Sequence, residues 1–227
     1  MEKSLKGKIV LVTGSSSGIG METACAFAKE GCVVAITYNK GKEGALATAK
    51  KCAGLGAGDT LVTNLDVMDG ASIKDAVRKT VSEFGAIDIL VNNAGVIAWK
   101  NLGEQTDGEI ESQLRTNLEG LIKVTKECLP HVKDTIINIA SGAGIEGYAG
   151  LSVYCATKFG VRGFTQSLAK ELKGVKVFAV NPTSTATRMT NFQGMPPEKV
   201  AEVVVNTAKG RYGTRSGGDV NVWEKVG

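Results

Sequence analysis

Tyr154 and Lys158 stand four residues apart in Ser152-Val153-Tyr154-Cys155-Ala156-Thr157-Lys158-Phe159-Gly160. On a helix, that spacing puts both side chains on one face. A phenol with a pKa of about 10 is a poor proton donor or acceptor at neutral pH. A neighbouring ammonium favours the phenolate and lowers that pKa, and a phenol tuned in this way can act as general acid or base. Thirteen residues before Tyr154, Ser141 follows the run Ile136 to Ala140, which places it at the carboxyl end of an expected strand. A hydroxyl there can hydrogen-bond an oxygen on which negative charge develops. Chance often produces Tyr-x-x-x-Lys, so the pair carries weight only if the rest of the chain builds a site around it.

Positioning such groups requires a scaffold, and the hydrophobic pattern supplies one. Lys8 to Thr13, Val33 to Thr37, Thr60 to Leu65, Ile87 to Val91, Thr135 to Ala140, Val175 to Val180 and Val220 to Trp223 are expected strands, most of them short apolar runs without alternation. Helical patterns intervene. The first runs to Glu30 and is closed by Gly31; the next two cover Lys42 to Ala53 and Ala71 to Phe84. A long one spans Asp107 to Leu129 and is stopped by Pro130, followed by Val153 to Leu172 and Glu198 to Lys209. Strands alternating with helices at this spacing imply an α/β fold: a seven-stranded parallel sheet with helices on both faces and right-handed crossovers. No linker or repeat divides the chain, so residues 1–227 are expected to form a single domain.

Composition narrows the function. The chain is 43% hydrophobic and 22% charged, with no long block of like charge and a formal net charge of +4. That balance suits an anionic small molecule, and no basic stripe with interleaved aromatics argues for nucleic acid. Five scattered cysteines, the absence of Cys-x-x-Cys and a single histidine, His131, support neither a disulfide framework nor a metal centre. Met1-Glu2-Lys3-Ser4-Leu5-Lys6 lacks the apolar core of a signal peptide, and no run approaches a membrane span. A cytoplasmic protein with reduced thiols, and without a membrane partner, is expected.

Between the first strand and the first helix lies Thr13-Gly14-Ser15-Ser16-Ser17-Gly18-Ile19-Gly20. Gly14 permits a tight turn, Gly18 lets backbone approach a pyrophosphate, and Gly20 allows close helix–strand packing. The helix N-terminus adds free N–H groups and the positive end of its dipole. The spacing is G-x-x-x-G-x-G rather than G-x-G-x-x-G. With Asn92-Asn93-Ala94-Gly95 at the end of the fourth strand, then Ser141, Tyr154 and Lys158, the chain resembles the short-chain dehydrogenase/reductase family from about Lys8 to Thr187. Within the family it looks most like the 3-oxoacyl-acyl-carrier-protein reductase-like branch.

The resemblance implies a doubly wound Rossmann-type domain that transfers a hydride between a nicotinamide dinucleotide and a carbonyl or alcohol substrate. It makes Tyr154 the general acid/base and Ser141 the group that positions the substrate oxygen. Lys158 would hold the nicotinamide ribose and depress the Tyr154 pKa. Asn117, in a helical pattern that suits Asn poorly, would be a fourth member that fixes a water for proton resupply. The resemblance further implies that Ser16, Ser17 and Ile19 join the three glycines around the diphosphate and that Asp66 and Val67 meet the adenine. Asn93, Ala94 and Gly95 would line the nicotinamide-side ribose. Pro182, Thr185 and Thr187 belong to the loop after the sixth strand, with Thr187 at the carboxamide; Thr183 stands where the family normally has Gly.

The second strand ends in Tyr38 and Asn39, where an NAD enzyme usually places Asp or Glu about 20 residues past the glycines. Lys40 and Lys42 precede the first acid, Glu43, so no carboxylate repels a 2′-phosphate. NADP is the expected cofactor and NAD the alternative; Ser17 stands where many NADP members have Arg. Arg188 to Pro197 corresponds to the family's substrate lid, short here, with Met189, Phe192 and Met195 as its apolar residues. Trp99, Tyr148 and Leu151 flank the motifs as candidates for the pocket wall. The resemblance also implies a homo-oligomer, a tetramer or a dimer. A non-catalytic dinucleotide sensor is the reading from a different class, and the intact Asn117–Ser141–Tyr154–Lys158 set argues against it.

Overall fold

The computed structural model describes residues 2–226. Its strands are β1 (Ile9–Val12), β2 (Val33–Tyr38), β3 (Asp59–Asn64), β4 (Ile87–Asn92), β5 (Val132–Ile139), β6 (Lys176–Asn181) and β7 (Asp219–Asn221). The helices are α1 (Gly18–Lys29), α2 (Lys42–Gly54), α3 (Gly70–Phe84), α4 (Asp107–Leu114), α5 (Leu121–Cys128), α6 (Ser152–Glu171) and α7 (Pro197–Ala208). The strands form one sheet in the order β3-β2-β1-β4-β5-β6-β7, with every neighbouring pair parallel.

Apolar runs without alternation become strands here because both faces of the sheet are covered. Successive residues of β1 divide between two cores: Val10 and Val12 pack against α1, α2 and α7, while Leu11 packs on the opposite side with α3, α5 and α6. Ile89 and Val91 separate from Leu90 in the same way, as does Ile137 from Ile136. Phe27 of α1 is among the largest fully buried side chains, and truncating it to Ala would cost about 3–5 kcal/mol. Local signals agree with this packing. Asp69 caps α3 by accepting from the Ala71 N–H at 2.9 Å, and Gly85 ends that helix at φ +83°.

Two departures from the sequence pattern bear on function. The single helix expected from Asp107 to Leu129 is interrupted: Arg115–Gly120 is a π-helical turn between α4 and α5. The wider turn accompanies a close approach to the end of β3, where a Cβ on Gly120 would lie 2.7 Å from the Val67 carbonyl. β5 begins at Val132, ahead of the apolar run, because a register shift against β4 between Ile87 and Ile89 absorbs polar Lys133 and Asp134. The other boundaries fall close to those expected, and no helix among the described residues is long and apolar enough to cross a membrane.

Candidate active site

Strand order reverses between β1 and β4, the position at which a doubly wound sheet opens a crevice beyond the carboxyl ends of its strands. A cleft of about 1470 Å³ lies there, bounded by the glycine turn, the Asn93–Gly95 strand end, the Ser141 turn and the segment from Pro182 to Phe192.

Backbone forms one end of this cleft. Gly14 and Gly18 have φ of +64° and +57°, which favours glycine. A Cβ on Gly14 would sit 3.1 Å from Ala94 Cα, one on Gly18 3.2 Å from Thr187 Cγ2, and one on Gly20 2.4 Å from Asn93 Nδ2. Thr13 Oγ1 accepts from the N–H groups of Asn93 and Ala94 at 2.9 and 3.0 Å. Asn93 Nδ2 returns bonds to the carbonyls of Thr13 and Gly14 at 2.9 and 3.2 Å. The turn and the β4 end are thereby locked together. At the start of α1, Ser17 makes no side-chain capping bond and the first turn carries no acid. Its N–H groups therefore meet an anion without competition, and these residues fit a dinucleotide diphosphate.

Most residues expected to bind cofactor reach the cleft: Gly14, Ser16, Ser17, Gly18, Ile19, Asn39, Lys40, Asp66, Val67, Asn93, Ala94, Gly95, Pro182, Thr185 and Thr187 all line it. Tyr38 does not; its ring is half-buried against the core shared by α1, α2 and α7, because the side chain of the last residue of β2 follows the alternation of the strand. Gly20 lies behind the lining, pressed on Asn93 and Gly14. The sequence reading missed Thr13 as the clasp and Gly44, whose Cβ would fall 2.5 Å from the Ser16 carbonyl. Thr13 leaves a signal, a hydroxyl immediately before the first glycine, while the Gly44 contact joins two elements and leaves none.

The proposed catalytic groups converge beyond Gly95. Ser141 caps a 3₁₀ turn, Gly142–Gly144, its Oγ accepting from the Ala143 N–H at 3.1 Å, and both it and Tyr154 line the cleft. Tyr154 and Lys158 occupy successive turns of α6, with Lys158 Nζ 5.5 Å from the ring centroid. Burial pushes the Tyr154 phenol up to about 12, the Ser141 hydroxyl pulling the other way, and pushes Lys158 down to about 8. Burial dominates both groups, and the Lys158 ammonium, expected to depress the phenol, donates to the Ile139 carbonyl at 2.9 Å. The Tyr154 phenol is thus neutral at physiological pH.

Asn117 sits in the π-helical turn, buried, with its amide committed on both sides. Oδ1 accepts from the Val96 N–H at 2.8 Å, and Nδ2 donates to the Val96 carbonyl at 2.8 Å and to Thr157 Oγ1 at 3.2 Å. It therefore pins the backbone that follows Gly95 beside Lys158. A further brace, absent from the sequence reading, holds the serine turn. Arg162, one turn after Lys158, donates to the Gly144 carbonyl at 2.6 Å and grips both carboxylate oxygens of Asp219 in β7 at 2.8 and 2.6 Å. That guanidinium, with Asn181 Nδ2 at 3.0 Å, holds the Asp219 carboxyl below the usual range despite its partial burial.

The segment expected to form a lid contains a 3₁₀ turn, Arg188–Thr190, followed by Asn191 and Phe192 at φ +50° and +59°. It is tied back by backbone bonds between Ser184, Ala186 and Met195. Across the cleft the Trp99 indole N–H donates to the Met189 carbonyl at 3.0 Å.

Known proteins resemble this chain in sequence and fold. A family model described as short chain dehydrogenase matches residues 8–196. The 3-oxoacyl-acyl-carrier-protein reductase FabG of Thermotoga maritima is 38% identical over 217 residues, covering 92% of this chain and 86% of its own. An uncharacterised oxidoreductase of Bacillus subtilis, YhdF, is 38% identical over 215 residues, covering 92% and 73%. Among solved structures, a short chain dehydrogenase from Burkholderia cenocepacia in complex with NADP superposes with a TM-score of 0.90 at 30% identity, covering 96% of this chain and 97% of its own.

Proposed function

The chain belongs to the short-chain dehydrogenase family, and from that premise we propose that it is an NADP(H)-preferring carbonyl reductase in which Tyr154 is the general acid/base. The observation that carries the reading is the convergence of Ser141, Tyr154 and Lys158 on one end of a cleft whose other end is the glycine turn, with Lys158 Nζ 5.5 Å from the Tyr154 ring. A bound reduced nicotinamide supplies the hydride that a carbonyl carbon takes up. The side-by-side hydroxyls of Ser141 and Tyr154 let the carbonyl oxygen accept from both, Tyr154 giving up its proton as the C–H bond forms and Ser141 stabilising the developing charge. The Lys158 ammonium faces the phenolate left behind. Asn117 fixes the Gly95–Val96 backbone beside it, where a water would return a proton from solvent. Alcohol oxidation uses the same groups in reverse.

The preference for NADP rests on the edge of the cleft near β2, where Asn39 and Lys40 line the wall and the first acid after the strand is Glu43, in α2. The Burkholderia cenocepacia relative, bound to NADP, supports it. The reading is tested by titrating the protein with NADPH and NADH and then following NADPH oxidation over a panel of ketones. Binding of NADPH with turnover of a ketone is expected. NADH bound about tenfold more tightly, a difference of about 1.4 kcal/mol, would reverse the cofactor choice. Cofactor binding without turnover of any substrate would favour the sensor.

A further inference from the structure

Beyond Ser141 and Tyr154 the cleft changes character. The charged side chains along it are Glu22, Lys40, Asp66, Lys158, Arg188 and Glu198. Glu22, Lys40 and Asp66 belong to the glycine-turn end, and Lys158 is buried behind Tyr154. The wall on the far side of the catalytic pair is mainly apolar, formed by Ile97, Trp99, Tyr148, Leu151, Met189 and Phe192, with Arg188 exposed beside Met189.

Three observations indicate what this wall receives. Its aromatic members are left open to water, Trp99 at 58% and Phe192 at 70% exposure, with Tyr148 also exposed. Apolar rings crowded beside reacting groups are the usual composition of a small-molecule pocket. The wall is also continuous with the catalytic pair. Leu151 and Tyr154 share one buried cluster against which Ile97 packs, and the Tyr148 hydroxyl lies 4.0 Å from where a Cβ of Gly142 would be. Finally, the lid holds Phe192 at φ +59°, a left-handed conformation unfavourable for a bulky residue, directly after Asn191 at φ +50°. The Trp99 bond to Met189 ties the opposite wall to this same turn. Strain of this kind concentrates at ligand clamps, and here it presents an aromatic ring at the mouth of the cleft.

Resting on the reductase reading of the same site, we propose that Trp99, Tyr148 and Phe192 form a subsite for an uncharged aryl substituent on the carbonyl carbon, so that the enzyme selects aryl ketones over ketones without an aryl group. Composition favours this occupant: an aryl substituent meets aromatic and aliphatic side chains along this wall, while Arg188 stands exposed to water beside Met189. An aryl group would bury apolar surface and stack edge or face with three rings.

The test uses the Trp223→Phe protein, in which Trp99 is the only tryptophan, and oxidised NADP, with which a ketone cannot react. Trp99 emission is followed as ethyl 3-oxo-3-phenylpropanoate, ethyl 3-oxobutanoate or 3-oxobutanoate is added. A saturable change with the aryl ester is expected, with affinity about tenfold or more above that of the methyl ketone ester. The free acid, which has no aryl group, is expected to bind about tenfold or more weakly than the aryl ester. Adding Phe192→Ala should remove the aryl advantage and leave the methyl ketone ester unaffected. Equal affinity for the three probes, tighter binding of the free acid, or an aryl affinity that Phe192→Ala does not change would overturn the proposal. So would a Phe192→Ala protein altered in oligomeric state alone, since the ring would then be a contact between copies of this chain. Native protein with NADPH separates the two readings. Reduction of all three probes without aryl preference sinks the subsite and keeps the reductase, whereas aryl binding without any reduction keeps the subsite and sinks the reductase.

Discussion

At the glycine turn the cleft is bounded by backbone, and at the lid it is bounded by side chains. Gly14, Gly18 and Gly20 sit where one added carbon would strike Ala94, Thr187 or Asn93. Across the cleft, Trp99, Tyr148 and Phe192 project rings that solvent still reaches. The first end recognises its ligand through N–H groups and a helix dipole, which any sequence of the right shape supplies. The second recognises through rings that can be exchanged without disturbing the sheet. One end is therefore fixed by fold geometry and the other is open to change in specificity, with Ser141, Tyr154 and Lys158 at the junction.

Substitutions at each end should behave differently. The largest effect belongs to the junction: Tyr154→Phe should lower turnover about 10²–10⁴-fold while NADPH still binds, which steady-state rates paired with a cofactor titration would show. A Tyr154→Phe protein that is folded and still active would remove the centre of the comparison. Lys158→Met should also abolish activity, yet stabilise the fold. Burial lowers the lysine to about 8 from its ordinary 10.5, so the unfolded chain binds the proton more tightly and the native state bears the cost of the buried charge. That cost is full below pH 8 and vanishes as pH rises towards 10.5. The variant should thus gain up to about 3 kcal/mol at pH 7, less the bond to Ile139, and the gain should shrink across that alkaline window in thermal melts.

The two ends themselves are contrasted by a matched pair of substitutions. Gly20→Ala, with its Cβ 2.4 Å from both Asn93 Nδ2 and the Gly14 carbonyl, should cost about 1–3 kcal/mol in urea unfolding and weaken NADPH binding. Phe192→Gly should do the opposite, stabilising the protein by about 1 kcal/mol as left-handed strain is relieved, with cofactor affinity unchanged. If both variants destabilised equally, the distinction between a backbone-built and a side-chain-built end would fail.

The same distinction explains what the sequence made legible. Seven strands could be read, the central ones because a sheet covered on both faces writes apolar runs directly into the chain, and all seven occur in one parallel sheet. The diphosphate cradle was legible because a backbone site demands glycine at fixed positions. Groups set by pairing between distant segments were not. The π-helical turn at Asn117 depends on Val67 and Val96, residues remote in sequence. The inward turn of Tyr38 depends on strand alternation carried to its last residue, and the Arg162–Asp219 brace spans two elements whose contact no local pattern announces. The phenol's protonation escapes a sequence reading for a related reason: spacing puts Lys158 near Tyr154 but does not reveal that burial outweighs the charge.

The Arg162–Asp219 brace has a consequence for how the protein is made. Ser141, Tyr154, Lys158 and Arg162 all emerge from the ribosome well before β7, and the Gly144 carbonyl has no carboxylate-anchored guanidinium to hold it until Asp219 follows. The 78 residues from Ser141 to Asp219 take about 4–16 s to synthesise at ordinary elongation rates. During that interval a nascent chain already carries the whole catalytic set on a loosely held turn, and a three-residue strand completes the site.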